Sequence, residues 1–224
     1  NLKPTDDFIH QHRCTKLLGS IPAKALGLQD IRVSIVGTAT IDYLADILRL
    51  WLALDGFNAD FQLAEFNTLD QSVLDPKSQL YAFSPDIIWL FTTHRDVELD
   101  VVPGASPQTV EGCLGATIDR FTGLWQAAQA YSSAHIIQNN ADIPADRVFG
   151  NFEGGTSWGR VNALRRFNLM LAEAAVPGVT VLDFDFLSSQ FGKRSWFDAR
   201  HWYHSKNAVA FDALGLVSFQ AARI

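Results

Sequence analysis

Sulfur is scarce in this 224-residue chain, which holds two cysteines and one methionine. Cys14 and Cys113 lack the spacing of a zinc site or a disulfide framework, so both read as reduced, small apolar side chains of a cytoplasmic protein. No apolar run approaches the roughly 20 residues that span a bilayer, so no membrane partner is expected. The opening Asn1-Leu2-Lys3-Pro4 lacks the basic-then-apolar order of a signal peptide. Asn1 in place of Met is what a piece of a longer protein would show. Positive charge is also short: 18 Lys and Arg against 24 Asp and Glu give a net charge of −6. That balance speaks against general nucleic-acid binding. Internal repeats, low-complexity tracts and long linkers are absent. One α/β domain over residues 30–224, preceded by a helical extension over 1–29, is therefore expected.

The acidity is unevenly spread. Residues 1–155 carry 10 basic against 19 acidic side chains, whereas residues 156–224 carry 8 against 5. The positive last third can attract a phosphate, a carboxylate or an acidic partner. Within it, Trp196-Phe197-Asp198-Ala199-Arg200-His201-Trp202-Tyr203-His204-Ser205-Lys206 mixes large rings with ionisable groups. That mixture suits a pocket wall, where apolar bodies exclude water and a few polar groups orient a ligand. It contains Asp-x-x-His, a spacing at which Asp198 can orient His201 as a base. The competing reading is an aromatic cap that closes the C-terminal helix onto the core.

Five short runs rich in Val, Ile, Leu and Phe lie at 31–36, 59–64, 86–91, 134–138 and 178–183. Continuous apolar runs suit parallel strands covered on both faces. Helical patterns fall at about 5–19, 41–55, 107–132, 156–175 and 208–222, the fourth with Thr156 or Ser157 as its N-cap. The alternation predicts a three-layer αβα sandwich with a five-stranded parallel sheet in the flavodoxin-like order 2-1-3-4-5. In such sheets ligands bind beyond the carboxyl ends of the strands. Those ends carry Thr38 and Thr40, His94 and Arg95, and Asn139. Single polar residues there are commonly turn formers; their convergence with 196–206 is the stronger signal. One cleft is expected to gather Thr38, Thr40, His94, Arg95, Asn139, Asp198, His201 and Lys206, with Arg95, Arg200 or Lys206 holding an anion. Trp196, Phe197 and Trp202 would exclude water from it.

A small polar loop after the first strand, a polar loop with Asp96 after the third, and a late Asp-x-x-His together resemble the SGNH, or GDSL-like, hydrolases. In that pattern the first loop supplies a serine, the third-strand loop an oxyanion-hole asparagine, and the late loop Asp and His. Here Gly37-Thr38-Ala39 leaves Ala39 at the nucleophile position, and Arg95 stands for the asparagine. Only Asp198 and His201 match. An alternative expectation is an active esterase or acyltransferase that uses this pair with Thr38, Thr40 or a bound thiol or hydroxyl. A third is a non-catalytic interaction module.

Longer motifs carry a second resemblance. Leu74-Asp75-Pro76 through Pro85-Asp86, Arg165-Arg166-Phe167-Asn168 through Glu173, Pro177-Gly178-Val179 through Asp183, and Trp196-Phe197-Asp198 through Lys206 look like the N-terminal, SGNH-like domain of FkbH-like proteins. The resemblance covers residues from about 30 to 222. It implies a domain that binds substrate or carrier protein in polyketide biosynthesis. There, a transferase loads a glyceryl unit from a phosphorylated three-carbon acid onto the phosphopantetheine arm of an acyl carrier protein. It also implies that magnesium and the catalytic Asp-x-Asp belong to a following haloacid-dehalogenase-type domain. No cofactor is expected here, and Asp183-Phe184-Asp185 only imitates that motif. Among the other polar residues, Asp75 and Ser78 read as a turn and His135 as a satisfied core histidine. Asp183 reads as a cap, and Gly154-Gly155 as a flexible loop or a set of bared amides.

Overall fold

The computed structural model describes residues 2–224. Five strands, β1 (Gln29–Gly37), β2 (Phe57–Leu63), β3 (Ile87–Phe91), β4 (His135–Asn139) and β5 (Val179–Leu182), form one sheet in the order β2-β1-β3-β4-β5. Every neighbouring pair is parallel. The helices are α1 (Phe8–Gly19), α2 (Ala23–Leu26), α3 (Asp42–Leu54), α4 (Leu69–Leu74), α5 (Gln79–Ala82) and α6 (Pro107–Tyr131). They continue with α7 (Arg160–Ala174), α8 (Phe184–Phe191), α9 (Lys193–Trp196), α10 (Ala199–Ser205) and α11 (Leu214–Ala221).

The strands were legible as apolar runs because both their faces are covered. Ile35, Trp89, Phe91, Ile137 and Leu182 pack into a core with α3, α8, α9 and α11. Val36, Ile88, Leu90 and Ile136 point the other way, into a core with α4, α5, α6 and α7. This is the period-two alternation of a strand with helices on both sides. The N-terminal residues dock on the first of these layers. Buried Gln11 accepts from Trp51 Nε1 at 3.0 Å through its side-chain oxygen and donates to the Asp6 carbonyl at 2.8 Å.

Several expected boundaries shift. The helix placed at 156–175 begins only at Arg160, and its N-cap position is Gly159, not Thr156 or Ser157. Its amides are satisfied from a distance: the buried Glu153 carboxylate accepts from Val161 N at 2.9 Å. Thr156 instead donates to the Glu153 carbonyl. Gly154-Gly155 belongs to a short 3₁₀ turn whose carbonyls, rather than amides, face the neighbouring Asn162 side chain. The helix expected at 208–222 is a 3₁₀ turn, Phe211–Ala213, followed by α11. The 196–206 segment is helical over Ala199–Ser205 rather than a loop.

At the carboxyl edge, Gly37 is needed for close approach. A Cβ there would lie 2.9 Å from the Phe91 carbonyl oxygen, inside contact distance. The ends of β1 and β3 therefore lie tightly side by side, and the loops that leave them share one rim.

Candidate functional site

A buried amide frame fixes the rim. Asn139 is fully buried; its oxygen accepts from Thr92 N at 3.1 Å and Trp89 Nε1 at 3.3 Å, and its nitrogen donates to the Thr92 carbonyl. Gln138 donates to Thr92 Oγ1 at 2.8 Å and accepts from Trp125 Nε1. The expectation that Asn139 lines the cleft meets a side chain committed to joining the ends of β3 and β4.

Beyond that frame, His94–Asp96 forms a 3₁₀ turn closed by a capping box: Arg95 N donates to Thr93 Oγ1 at 3.1 Å, and Thr93 N donates to Asp96 Oδ2 at 2.7 Å. Thr38 Oγ1, leaving β1, donates to the same Asp96 oxygen at 2.7 Å. Burial raises the Asp96 carboxyl above its ordinary value, and the hydrogen bonds from Thr38 and Thr93 only partly oppose it. Thr40 N donates to the Lys206 carbonyl at 3.0 Å, and its hydroxyl donates to the Ser205 carbonyl at 2.5 Å. Both threonine hydroxyls are thus engaged as donors, and Ala39 between them is buried.

The turn sends its two basic residues in different directions. His94 points inward, where Nδ1 lies 3.0 Å from Asp142 Oδ1 and its backbone N donates to the same oxygen at 3.1 Å. The other Asp142 oxygen accepts from Trp196 Nε1 at 3.0 Å. The His94 carbonyl accepts from Arg160 at 2.6 Å. Side-chain exposure is only 11% for His94 and 6% for Asp142. Burial by itself would raise the Asp142 carboxyl. The hydrogen bond and charge of His94, its backbone amide and the Trp196 indole outweigh burial and hold the group below the usual carboxylate range. Arg95 points outward, its guanidinium 4.1 Å from the Trp202 ring centroid and 4.8 Å from that of Phe197. Burial is the main cause lowering its pKa; a guanidinium stays charged regardless. Lys206, left-handed at φ 56°, holds Nζ 5.3 Å from the same Trp202 ring.

Beside this rim lies a cavity of about 440 Å³ walled by His94, Arg95, Asp142, Asp146, Arg194, Trp196 and Phe197; Thr38, Thr40, Asn139, Trp202 and Lys206, expected in the same cleft, do not line it, because their side chains or backbones are tied into the rim itself. Arg194 is exposed and makes no ion pair among the described residues. Lys193 also lines the space but serves as a tie, donating to Asp185 Oδ1, Ser188 Oγ and the Ile143 carbonyl.

The single cleft expected from the sequence is divided. Asp198 and His201 line a different cavity of about 450 Å³, facing Phe8, Ile9 and Phe211. Asp198 is the N-cap of α10 and is paired with Arg200, whose Nη2 donates at 2.7 Å. That hydrogen bond, with the Arg200 backbone amide, holds the Asp198 carboxyl well below the usual range. His201 Nδ1 lies 3.9 Å from Asp198 Oδ2, beyond a hydrogen bond, and the ring stacks on Phe211 at 4.1 Å. Arg200 points to solvent, 88% exposed. The structure therefore joins Thr38, His94, Arg95, Thr40 and Lys206 along the β1–β3 rim and turns Asp198, Arg200 and His201 away from it. Asp142 was missed. It lies two residues past Asn140 in the loop after β4, and its one sequence signal was an acidic residue inside a run otherwise free of charge. Trp196 was expected to exclude water and also serves as a hydrogen-bond donor.

Among the described residues no three His, Cys, Asp or Glu side chains gather as a metal site would require. The Asp183–Asp185 imitation is used up: Asp183 caps α8, accepting from Phe186 N, and Asp185 pairs with Lys193. These residues do not fit magnesium. No helix among them is long and apolar enough to cross a membrane.

Comparison with known proteins places this geometry. The model of the FkbH N-terminal domain matches residues 32–224. The N-terminal part of protein BF1531 from Bacteroides fragilis, a crystal structure containing a phosphatase domain complexed with Mg, superposes with a TM-score of 0.76 at 20% identity. That match covers 96% of this chain and 55% of the other, so this chain spans little more than half of that structure. The crystal structure of TesA superposes at 0.54 with 15% identity, covering 85% of this chain and 97% of the other. Identities this low establish a shared fold. No curated protein matches.

Proposed function

The chain belongs to the FkbH N-terminal domain family, and from that premise we propose that it is the ligand-binding part of a glyceryl-loading transferase. In this reading the rim cavity holds a phosphorylated three-carbon acid, and the phosphopantetheine arm of an acyl carrier protein reaches it from solvent. Removal of phosphate, with its magnesium, falls to a further domain.

One observation carries the reading. Arg95 is stacked between Trp202 and Phe197 at the mouth of a cavity that also takes Arg194. A guanidinium presents fixed donors that match phosphate and carboxylate oxygens in pairs. Held against the aromatic faces of Trp202 and Phe197, it is kept in one orientation at the cavity mouth, so less side-chain freedom is lost when it meets an anion. The cavity's volume suits a small ligand rather than a polymer. The esterase reading finds no such support, because Thr38 and Thr40 both donate elsewhere and Ala39 has no nucleophile.

Titration calorimetry with phosphoglycerate tests this. Arg95→Ala should weaken binding by about ten-fold, the loss of one charge-assisted hydrogen-bonding group, with little change in thermal midpoint. Unchanged affinity would remove Arg95 from the site and with it the argument for this cavity.

A further inference from the structure

The second cavity, of about 450 Å³ beside α10, has no part in the reading above, yet its walls are largely rings: Phe8, Phe191, Phe197, Phe211 and His201. The rings are ordered against one another. His201 stacks on Phe211 with centroids 4.1 Å apart, and Phe211 stacks on Phe8 at 5.0 Å. Phe8 N donates to Asp212 Oδ1 at 3.0 Å, which fastens the start of α1 to the turn before α11. Rings already held in place can receive a further ring with little loss of side-chain freedom.

Four fixed charges border the same space, Arg194, Asp198, Arg200 and Asp212, and they differ in what they are free to do. Asp198 and Arg200 hold each other, with Nη2 donating at 2.7 Å and Nε at 3.2 Å. Asp212 is exposed, spends one oxygen on Phe8 N and makes no ion pair among the described residues. Arg194 is exposed and makes neither an ion pair nor a hydrogen bond among them. One cation and one carboxylate thus remain uncommitted beside an aromatic wall. A simple anion would gain Arg194 but meet the charge of Asp212, and a simple amine would meet the reverse. A ligand with both charges and a ring satisfies all three features: its carboxylate pairs with Arg194, its ammonium with Asp212, and its ring packs among the phenyl groups.

We infer that this cavity binds an aromatic α-amino acid, and that Arg194 couples it to the rim cavity. Arg194 and Phe197 border both spaces. A guanidinium whose fork is engaged by a carboxylate on one side is turned away from an anion on the other, so each ligand weakens the other. Such a coupling is a free energy shared by the two sites and is equal in both directions. The coupling rests on the reading above, in which the rim cavity takes phosphoglycerate; the amino-acid site does not.

Titration calorimetry of the intact chain with phenylalanine tests the site. Phenylalanine should bind saturably. Phenylpropionate, which lacks the ammonium, and phenethylamine, which lacks the carboxylate, should each bind about ten-fold more weakly, the loss of one charge-assisted contact. Arg194→Ala should weaken phenylalanine by a similar factor. So should Asp212→Asn, whose amide oxygen can still accept from Phe8 N and keep the turn. In isotope-edited NMR of the histidine rings, phenylalanine should shift the His201 signals and leave those of His94 in place. Saturating phosphoglycerate should weaken phenylalanine about five-fold, the low end of such couplings, and Arg194→Ala should abolish that effect. No saturable binding of phenylalanine overturns the inference. So does phenylpropionate or phenethylamine binding as tightly as phenylalanine, or a shift at His94 in place of His201. If phosphoglycerate leaves phenylalanine unaffected while Arg95→Ala still weakens phosphoglycerate, the coupling falls and the reading of the rim stands. If phosphoglycerate does not bind at all, that reading falls and the coupling with it, while the phenylalanine titrations still decide the second site.

Discussion

Two histidine–aspartate pairs occupy this molecule, and they differ in nearly everything except composition. His94 and Asp142 come from loops 48 residues apart, are almost fully buried, and touch at 3.0 Å. Asp198 and His201 are three residues apart, partly exposed, and 3.9 Å from each other. The local pair looks like a motif, but Asp198 spends its oxygens on the α10 cap and on Arg200. The distant pair has no motif, but the sheet brings it together and walls it with Trp196. A short spacing brings residues within reach; burial and a shared partner decide whether they interact.

The largest way to break this comparison is truncation. Asp142→Ala leaves the His94 amide and the Trp196 indole N–H as buried donors without partners. It should cost about 3–5 kcal/mol, since each buried donor left without a partner costs about 1–3 kcal/mol. Asp198→Ala, at an exposed site, should cost far less. Chemical denaturation of the two variants checks this, and equal losses would erase the distinction drawn between the pairs.

Acid titration sharpens it further. The Asp142 carboxyl is lowered in the folded chain, so it contributes stability above its unfolded pKa of about 4, and that contribution is lost as pH falls through the folded value. Asp96 has the opposite sign. Its carboxyl is raised, so the stability it contributes is present below about 4 and lost as pH rises through its folded value. Asp142→Asn should therefore flatten the acid limb of stability, and Asp96→Asn should relieve a neutral-pH penalty. Denaturation midpoints between acid and neutral pH separate the two, and matching profiles would contradict the opposite environments.

Smaller effects should follow from loosening the rim. Thr38→Val deletes one donor to Asp96 and should cost about 1 kcal/mol, the typical worth of a single hydrogen bond. Trp202→Ala removes the ring beneath Arg95 and should weaken phosphoglycerate binding about three-fold, from the loss of a partly exposed cation–π contact. It should leave stability nearly intact, since Trp202 is only half-buried. A drop in the thermal midpoint as large as that of Asp142→Ala would show Trp202 to be a structural cap.

What the sequence determined by itself follows from the length scale of each signal. Strand positions, their parallel sense and the order 2-1-3-4-5 were readable, because a strand buried on both faces must be apolar along its whole length and its helices must fall between. The basic pair at the end of β3 was readable for a related reason: charge directly after a buried run has few structural uses. The aromatic density of 196–206 suggested a wall; Trp196 and Phe197 line the cavity, whereas Trp202 does not and instead meets Arg95. Tertiary structure alone decided the rest. Glu153 caps α7 from outside the helix, so no local cap was there to find. Asn139 has the composition of a ligand-binding amide and is instead committed to Trp89 and Thr92. Asp142 finds His94 only because β3 and β4 are neighbours whose loops leave the same edge. Hydrogen-bond partners far apart in sequence carry no periodicity, and only the closure of the sheet selects which of the available donors and acceptors meet.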